Sequence, residues 1–258
     1  MRRYKKLNRQ YQKLTTKSVI GVALNNLQFY SEEFYICAIY QLQTRANPQT
    51  VAIIQKLFKS KNWRKRVVAI NAISQMCIPK RPFPHYAVKE AQNILAMAIK
   101  DTNINVVIEG LYGISFRKTD EALPNIISLA DHENRDVRRA VVSALYSFSE
   151  KTSIQSLIKL ATDVDDYIRE YATFGLGQMH VDIDIPEVRE RLFLNCGDHC
   201  HYVADDALAG LIYRKDPRVF DLLQKLLARV EELNNCIEYA ISDTKNLVLA
   251  KLLDIELE

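Results

Sequence analysis

The sequence predicts an all-α protein, a right-handed α-solenoid of about six to seven helical hairpins. The first observation is a recurring pair, a small residue followed by a large aliphatic one, at intervals of 30 to 41 residues. This is the spacing of stacked helical hairpins. The second is composition, because 48% hydrophobic residues with only 7 Gly and 7 Pro among 258 residues favour a large helical core over a loop-rich chain. The pairs are Ala38-Ile39, Ala72-Ile73, Gly113-Ile114, Ala144-Leu145, Gly175-Leu176, Gly210-Leu211 and Ala240-Ile241.

Two well-aligned segments, residues 136–145 and 167–176, indicate why the pair recurs. In each, apolar residues fall at helical spacing, which gives the helix one apolar stripe that faces a neighbour. Glycine takes the small position at Gly113, Gly175 and Gly210. Because glycine in a helix interior costs about 1 kcal/mol relative to alanine, we expect another helix backbone to pass close to these positions.

Each of these helices is preceded by another, so the unit is helix, turn, helix. The preceding helices are expected to begin near Pro124, Ile154 and Pro186, since proline suits a first helical turn. The second helices resemble the HEAT-like repeats first recognised in bilin lyase subunits, whose pattern is V-R-x-x-A-x-x-A-L. Residues 137–145 match it closely, residues 168–176 match with glycine for alanine, and residues 63–73 match more loosely.

The resemblance covers about residues 30 to 245 and implies a fold rather than an activity. We expect a single HEAT-like α-solenoid domain over residues 1–258. Within it we expect a basic N-terminal segment at residues 1–17 and a Pro-rich inserted loop at residues 77–85. The resemblance also implies that the second helices line the concave surface.

Cysteine usage and hydropathy bear on the compartment. The five cysteines, at positions 37, 77, 196, 200 and 236, are an odd number scattered through expected helices and loops. Secreted proteins rarely keep odd thiols. No stretch has the character of a signal peptide or a membrane span. We therefore expect a reduced, cytoplasmic protein with no membrane association.

Charge is distributed very unevenly along the chain. Residues 1–100 contain 18 Lys and Arg against three acidic residues, and the remainder contains 17 against 28. Such asymmetry points to charged partners, because a field of one sign attracts molecules of the other.

The basic half suggests contact with nucleic acid as one alternative. Cations near aromatic residues can hold phosphates and stack bases, and the residues that would do so are Lys61, Trp63, Arg64, Lys65 and Arg66. The other interpretation is a frayed, solubilising N-terminus followed by a solvated outer face. No base-reading motif such as a zinc finger or an RNA-recognition signature is present.

The acidic half suggests a protein-binding face. Residues 163–206 contain eleven acidic residues against three arginines. Helix capping explains about half of them, but it does not explain Glu170, Asp205 and Asp206, which lie within second helices. With Tyr167, Arg169, Tyr202 and Tyr213 they would form an acidic, aromatic groove suited to a basic protein. An ordinary solvated face is the alternative.

The sequence gives little support for a metal site or a catalytic site. Residues 196–201 hold two Cys and two His, but structural zinc sites usually present two separated pairs. The sequence has no phosphate-binding glycine loop, nucleophile elbow or zinc-protease helix. We expect no metal, no cofactor and no enzymatic activity. Two families of HEAT-like enzymes stay as alternatives, the bilin lyases and the alkylpurine DNA glycosylases.

These observations predict a non-catalytic protein-binding solenoid that holds a basic protein on its acidic concave face. The most concrete version is a bacterial immunity or antidote protein that neutralises a cationic toxin or nuclease. The alternatives are a nucleic-acid-binding protein that uses the basic half, and a bilin-lyase-like enzyme subunit. The sequence leaves the identity of the partner and the oligomeric state open.

Overall fold

The computed structural model of the chain describes residues 2–28, 33–80, 82 and 84–227. Within these ranges the regular elements are helices and no β-strand occurs, which confirms the predicted all-α solenoid class. None of the described helices is long and apolar enough to cross a bilayer. The chain divides into two compact units, Met1–Ile126, called unit 1, and Ile127–Glu258, called unit 2.

Unit 1 contains hairpins whose second helices pack side by side. Helices α3, α5 and α7 form one layer, α4 contacts α6 in a second layer, and α1 packs on α3. The helices are α1 (Arg2–Gln12), α2 (Thr16–Asn25), α3 (Glu33–Gln43), α4 (Pro48–Phe58), α5 (Trp63–Ser74), α6 (Val88–Ala98) and α7 (Ile104–Phe116). A short helix, α8 (Leu123–Ser128), contains the boundary between the units.

Unit 2 repeats this arrangement. Helix α11 packs between α9 and α13, while α10 and α12 contact each other and the second helices. The helices are α9 (Arg135–Leu145), α10 (Lys151–Leu160), α11 (Asp166–Phe174), α12 (Pro186–Asn195), α13 (His201–Tyr213) and α14 (Val219–Leu227). Helix α11 continues as a π-helical turn over Gly175–Met179. Pro186 occupies the first turn of α12, as predicted.

The basic N-terminal segment is part of the fold. Tyr11 of α1 is buried, and its carbonyl accepts a hydrogen bond of 2.8 Å from the Arg45 guanidinium. The side chain of Gln41 in α3 donates to Asn8 at 3.3 Å. The expectation of a frayed terminus is therefore wrong for residues 2–12, because one face of this helix covers α3.

The proline-rich segment forms a loop between α5 and α6. Cys77 and His85 make an isolated antiparallel bridge, and the amide of Tyr86 donates to the carbonyl of Met76 at 2.9 Å. Residues 81 and 83 lie outside the described residues. The loop leaves α5 and returns to start α6 with Ala87 at a positive φ of 53°.

The second helices begin with side-chain caps. The side chains of Asn62, Asn103, Asn134 and Asp165 each accept a hydrogen bond from a backbone amide two residues further on. Such caps satisfy amides that have no partner in the first helical turn. The polar turn residues thus fix where α5, α7, α9 and α11 start.

The small residues of the recurring pair are buried in each of the six repeats that the structure describes; Ala240-Ile241 lies outside the described residues. The expected close approach of a backbone occurs at Gly210, where an added Cβ would lie 2.6 Å from the Cα of Gly177. At Gly113 and Gly175 the nearest atoms belong instead to side chains, of Leu95 and Tyr146. The missing side chain therefore makes room for a neighbouring backbone at Gly210 and for a neighbouring side chain at Gly113 and Gly175.

A buried arginine donates hydrogen bonds to the backbone carbonyls of the π-helical turn. The guanidinium of Arg214 donates to the carbonyls of Leu176, Gly177 and His180 at 2.8, 3.1 and 2.9 Å. A π-turn disturbs the regular helical hydrogen bonds, and these carbonyls need donors because they are buried. In unit 1, Arg117 plays a similar part, since it is buried and donates to the carbonyls of Ser74 and Met76.

We predict that Gly210→Ala destabilises the protein by about 2 kcal/mol, because the new methyl group has no space against the backbone of Gly177. Gly197→Ala is the matched control, since its Cβ would meet its nearest neighbour at an ordinary 3.5 Å. Urea unfolding followed by circular dichroism measures both free energies. Equal stability of the two variants would contradict the close approach.

Candidate functional site

Ion pairs between an arginine and an aspartate join consecutive repeats. In unit 2, the guanidinium of Arg138 forks onto Asp163 at 2.7 and 2.9 Å. One repeat later, Arg169 forks onto Asp198 at 2.8 and 2.9 Å. In unit 1, Arg66 contacts the two oxygens of Asp101 at 2.7 and 2.8 Å. We call these three pairs the arginine–aspartate ladder.

Each ladder aspartate also accepts a hydrogen bond from a backbone amide. The backbone amides of Asn103, Asp165 and Cys200 donate to the aspartates two residues earlier, at 2.8, 3.0 and 2.9 Å. The pKa of Asp198 is lowered from its usual value, first by the Arg169 hydrogen bonds, while partial burial opposes the shift. Asp163 and Asp198 belong to the predicted acidic patch, and both are therefore paired with arginines inside the fold.

Two of the predicted binding residues, Arg169 and Arg66, belong to the ladder. Arg169 is only 8% exposed and pairs with Asp198. Arg66 contacts Asp101 and donates to two carbonyls of its own turn. Both arginines therefore join neighbouring repeats, and their part in a binding surface stays a prediction.

Three of the predicted acidic residues do meet in one groove. Glu170 of α11 and Asp205 and Asp206 of α13 line a cavity of about 360 Å³ in unit 2. Aromatic side chains form the rest of its lining: Tyr146, Tyr171, Phe174 and Tyr202. We call this the acidic groove. Tyr167 and Tyr213 do not line it, although Tyr167 is 61% exposed on the same helix as Glu170.

The carboxylates of the acidic groove repel one another. The pKa of Asp206 is raised to about 7, first by burial and then by the charges of Glu170 and Asp205. A hydrogen bond of 2.8 Å from the side chain of Gln178 opposes this rise. Burial also raises the pKa of Glu170, against the charges of Arg139 and His201. A carboxylate with a raised pKa gains most from a nearby cation.

The π-helical turn positions part of this groove. It contains Gln178, whose side chain donates a hydrogen bond to Asp206. It also contains Gly177, which packs against the α13 backbone near the Asp206 carbonyl. An added Cβ at Gly177 would lie 2.9 Å from that oxygen. The same turn therefore sets the distance between α11 and α13 and supports a groove carboxylate. Sequence analysis did not identify Gln178.

Aromatic residues line the groove, and sequence analysis missed three of them: Tyr146, Tyr171 and Phe174. The hydroxyl of Tyr146 donates to the carbonyl of Tyr171 at 2.7 Å, which holds the Tyr146 ring against α11. The guanidinium of Arg139 lies 5.6 Å from the ring of Tyr167 and 5.3 Å from that of Tyr171. Tyr202 is 51% exposed at the rim. The rim is therefore aromatic, and carboxylates lie between its rings.

The basic residues of the alternative nucleic-acid site lie at the start of α5. Lys61, Arg64 and Lys65 are exposed, and the Arg64 guanidinium lies 5.4 Å from the Trp63 ring. Trp63 itself is half-buried. Of the five predicted residues, Arg66 alone is assigned to the ladder.

The cysteines and histidines of residues 196–201 form no convergent cluster. In the described part of the chain, no group of three or more His, Cys, Asp or Glu side chains is arranged to hold a metal ion. Burial raises the pKa of Cys196 to about 12. His199 lies 3.2 Å from Asp166 and 3.4 Å from Asp198, beside the ladder.

Comparison with known sequences finds HEAT repeats in the middle of the chain, at residues 91–177. The chain is similar to Protein YibA of Escherichia coli strain K12, with 26% identity over 206 residues, which cover 77% of this chain and 71% of YibA.

The structure is similar to solved α-solenoids. The X-ray structure of Escherichia coli YibA matches with a TM-score of 0.73 and 24% identity, covering 97% of this chain and 89% of that one. Kap95p, in a structure that describes its binding to RanGDP, matches with a TM-score of 0.62 and 13% identity over 96% of this chain and 37% of Kap95p. A Kap121p mutant matches with a TM-score of 0.65 and 15% identity, over 92% and 29% of the two chains. These likenesses show a HEAT and armadillo-like fold.

We predict opposite effects of pH for two aspartates of unit 2. Because Asp206 has a raised pKa in the folded state, its own contribution to the free energy of unfolding falls as pH rises from about 4 to 7, and Asp206→Asn removes a loss on the order of 4 kcal/mol. Asp198 has a lowered pKa, so its stabilisation is present above about pH 4 and is lost on further acidification.

Asp198→Asn should therefore destabilise the protein at pH 7 by about 3 kcal/mol, since Arg169 loses its buried partner, and the difference should shrink at low pH. Urea unfolding at pH 7, 5.5 and 4 measures the Asp206 variant, and the series is extended to about pH 2.5 for the Asp198 variant, because its effect is lost only below about pH 4. If Asp206→Asn follows the wild-type profile, the repulsion in the acidic groove is contradicted.

Proposed function

We propose that this chain is a non-catalytic protein-binding solenoid that holds a basic protein partner in the acidic groove of unit 2. The observation that carries the proposal is that Glu170, Asp205 and Asp206 line one groove together with aromatic rings, of which Tyr202 is exposed, and lie outside the ladder that pairs neighbouring acids with arginines. Stacked helical repeats provide extended surfaces for such binding. Kap95p, which has a similar fold, binds RanGDP.

Electrostatics supports a cationic partner. A lysine or arginine that enters the groove would lower the pKa of Asp206, which stands at about 7 without it, and would relieve the repulsion among the carboxylates. Negative potential at the groove would also speed the encounter with a basic protein, and salt would slow it. Arginine fits the site especially well, because its planar group stacks on aromatic rings and pairs with carboxylates.

The most concrete form of this function is neutralisation of a cationic toxin or nuclease by an immunity or antidote protein of bacteria. Occlusion is the mechanism: the groove carboxylates would pair with the Lys or Arg residues that the toxin uses to bind its own substrate. Such a protein acts in the cytoplasm, where its free thiols stay reduced. Rim tyrosines such as Tyr202 would anchor the interface, since tyrosine and arginine dominate binding energy in protein interfaces.

The test uses a variant that removes the groove chemistry and leaves the ladder intact. We predict that Glu170→Gln combined with Asp206→Asn and Tyr202→Ala weakens binding of the partner at least about a hundredfold, through lost charge pairs and a lost aromatic anchor. The partner is isolated with the tagged wild-type chain at moderate salt and identified by mass spectrometry, and its affinity is then measured by titration calorimetry.

The matched control neutralises exposed acids of unit 2 outside the groove, with Asp131→Asn, Asp136→Asn and Glu187→Gln. It should bind with nearly wild-type affinity. The antidote form is tested by expressing the isolated partner in bacteria, where it should arrest growth, and the wild-type chain but not the groove variant should restore it. Undiminished binding by the groove variant would reject the acidic groove as the site.

A nucleic-acid-binding role is the second candidate, and the exposed cations beside Trp63 favour it. Lys61→Ala, Arg64→Ala and Lys65→Ala together should reduce affinity for a fluorescent single-stranded oligonucleotide. The slope of log K against log salt should fall by about two, since up to three phosphate contacts are lost. Fluorescence anisotropy measures the change, with Lys89→Ala and Lys100→Ala as the control. An unchanged slope would count against this role.

A further inference from the structure

Unit 1 contains a second groove, which crosses the second helices α3, α5 and α7 and has a volume of about 300 Å³. Its rim carries exposed apolar and aromatic side chains, among them Ile36 and Tyr40 of α3 and Phe116 of α7, which is 54% exposed. Asn71 and Ser74 of α5 lie between them, and Glu109 of α7 joins the lining. We call this the Glu109 groove.

Glu109 is the one carboxylate among the described residues that line this groove, and no Lys, Arg or His lines it. Burial raises the pKa of Glu109 to about 7, although a hydrogen bond with the Asn71 side chain opposes the shift. Asn71 also donates to the hydroxyl of Tyr35 at 2.8 Å. A buried carboxyl in an aromatic setting is costly to ionise unless a cation accompanies it.

We propose that the Glu109 groove binds an extended segment of a partner protein through one arginine side chain flanked by apolar residues. The guanidinium lies against the Glu109 carboxylate, and the apolar neighbours of the arginine cover Ile36, Tyr40 and Phe116. The inference goes beyond the function proposed above, because it gives unit 1 a binding site of its own with a different composition.

The chemistry of the groove selects this ligand. A single carboxylate attracts one cation and repels acidic or phosphorylated segments. Aromatic rings favour a guanidinium over an ammonium, because the guanidinium is planar, more weakly hydrated and able to stack. The exposed Ile36, Tyr40 and Phe116 offer apolar surface in the groove that the carboxylate also lines. An arginine between apolar residues matches the groove in charge and in polarity.

The ionisable groups that face Glu109 across the groove are tyrosines. They are Tyr4 of α1, Tyr35 and Tyr40 of α3 and Tyr112 of α7, whereas α5 contributes Asn71, Ser74 and Gln75. Because Glu109 is the one carboxylate among the described residues that line the groove, and no Lys, Arg or His lines it, binding of a cation between pH 6 and 8 should follow the ionisation of Glu109. Affinity for an arginine ligand should then rise about tenfold over this interval.

The experiment compares two matched peptides, acetyl-Leu-Arg-Leu-amide and its citrulline counterpart, which has nearly the same shape without the charge. The full-length protein, labelled with ¹³C in its tyrosine and phenylalanine rings, is titrated with each peptide at pH 8 and followed by NMR. We expect the arginine peptide to shift the resonances of Tyr40 and Phe116 and to bind about tenfold more tightly than the citrulline peptide.

Glu109→Gln should remove this preference, and Glu121→Gln, which changes the charge of an exposed residue in the same unit, should keep it. If Glu109→Gln unfolds the protein, Phe116→Ala replaces it, since this exposed ring can be removed without disturbing the core, and the variant should weaken both peptides. Equal binding of the two peptides, binding unaffected by these variants, or no binding overturns the inference. Shifts confined to Tyr202 and Phe174 would overturn it too, yet would support the acidic groove.

Discussion

The arginine–aspartate ladder is the interaction on which the organisation of these repeats depends. Each ladder arginine extends from a second helix to the loop before the next one, and each aspartate also binds the amide at which that next helix starts. One ion pair therefore fixes both the spacing of two repeats and the starting point of a helix. Because the paired groups are largely buried, removal of one partner leaves an uncompensated charge.

The acidic residues of unit 2 are alike in sequence, but in the structure they form two groups, those paired with ladder arginines and those outside the ladder. Asp163 and Asp198 are neutralised by arginines, whereas Glu170, Asp205 and Asp206 share a groove in which burial and mutual repulsion raise the pKa of Asp206 to about 7. The π-helical turn at the end of α11 sets this groove, since Gly177 lets α13 approach and Gln178 reaches Asp206. Glu170, Asp205 and Asp206 lie outside the ladder and line one groove, and this grouping supports the proposal that they bind a basic partner.

The sequence predicts the helical repeats well, because the recurring small residue and its aliphatic neighbour depend on local helical spacing. It also predicts four of the groove residues, Glu170, Tyr202, Asp205 and Asp206, since the three acids exceed what helix capping requires and Tyr202 lies on the same helix as two of them. It does not predict that Arg169 and Arg66 are occupied, because their partners lie about 30 residues away and are typical turn residues. Nor does it reveal the π-turn or the setting of Glu109, which depend on how neighbouring helices pack.

The central claim, that the acids of unit 2 form two populations, is tested most directly by NMR titration of the side-chain carboxyl carbons. The account predicts that Asp206 titrates near pH 7, well above the usual range for aspartate, while Asp198 titrates below that range because Arg169 holds its charge. A single population in which both residues titrate near pH 4 would contradict the account, since burial and repulsion in the groove would then not act on Asp206.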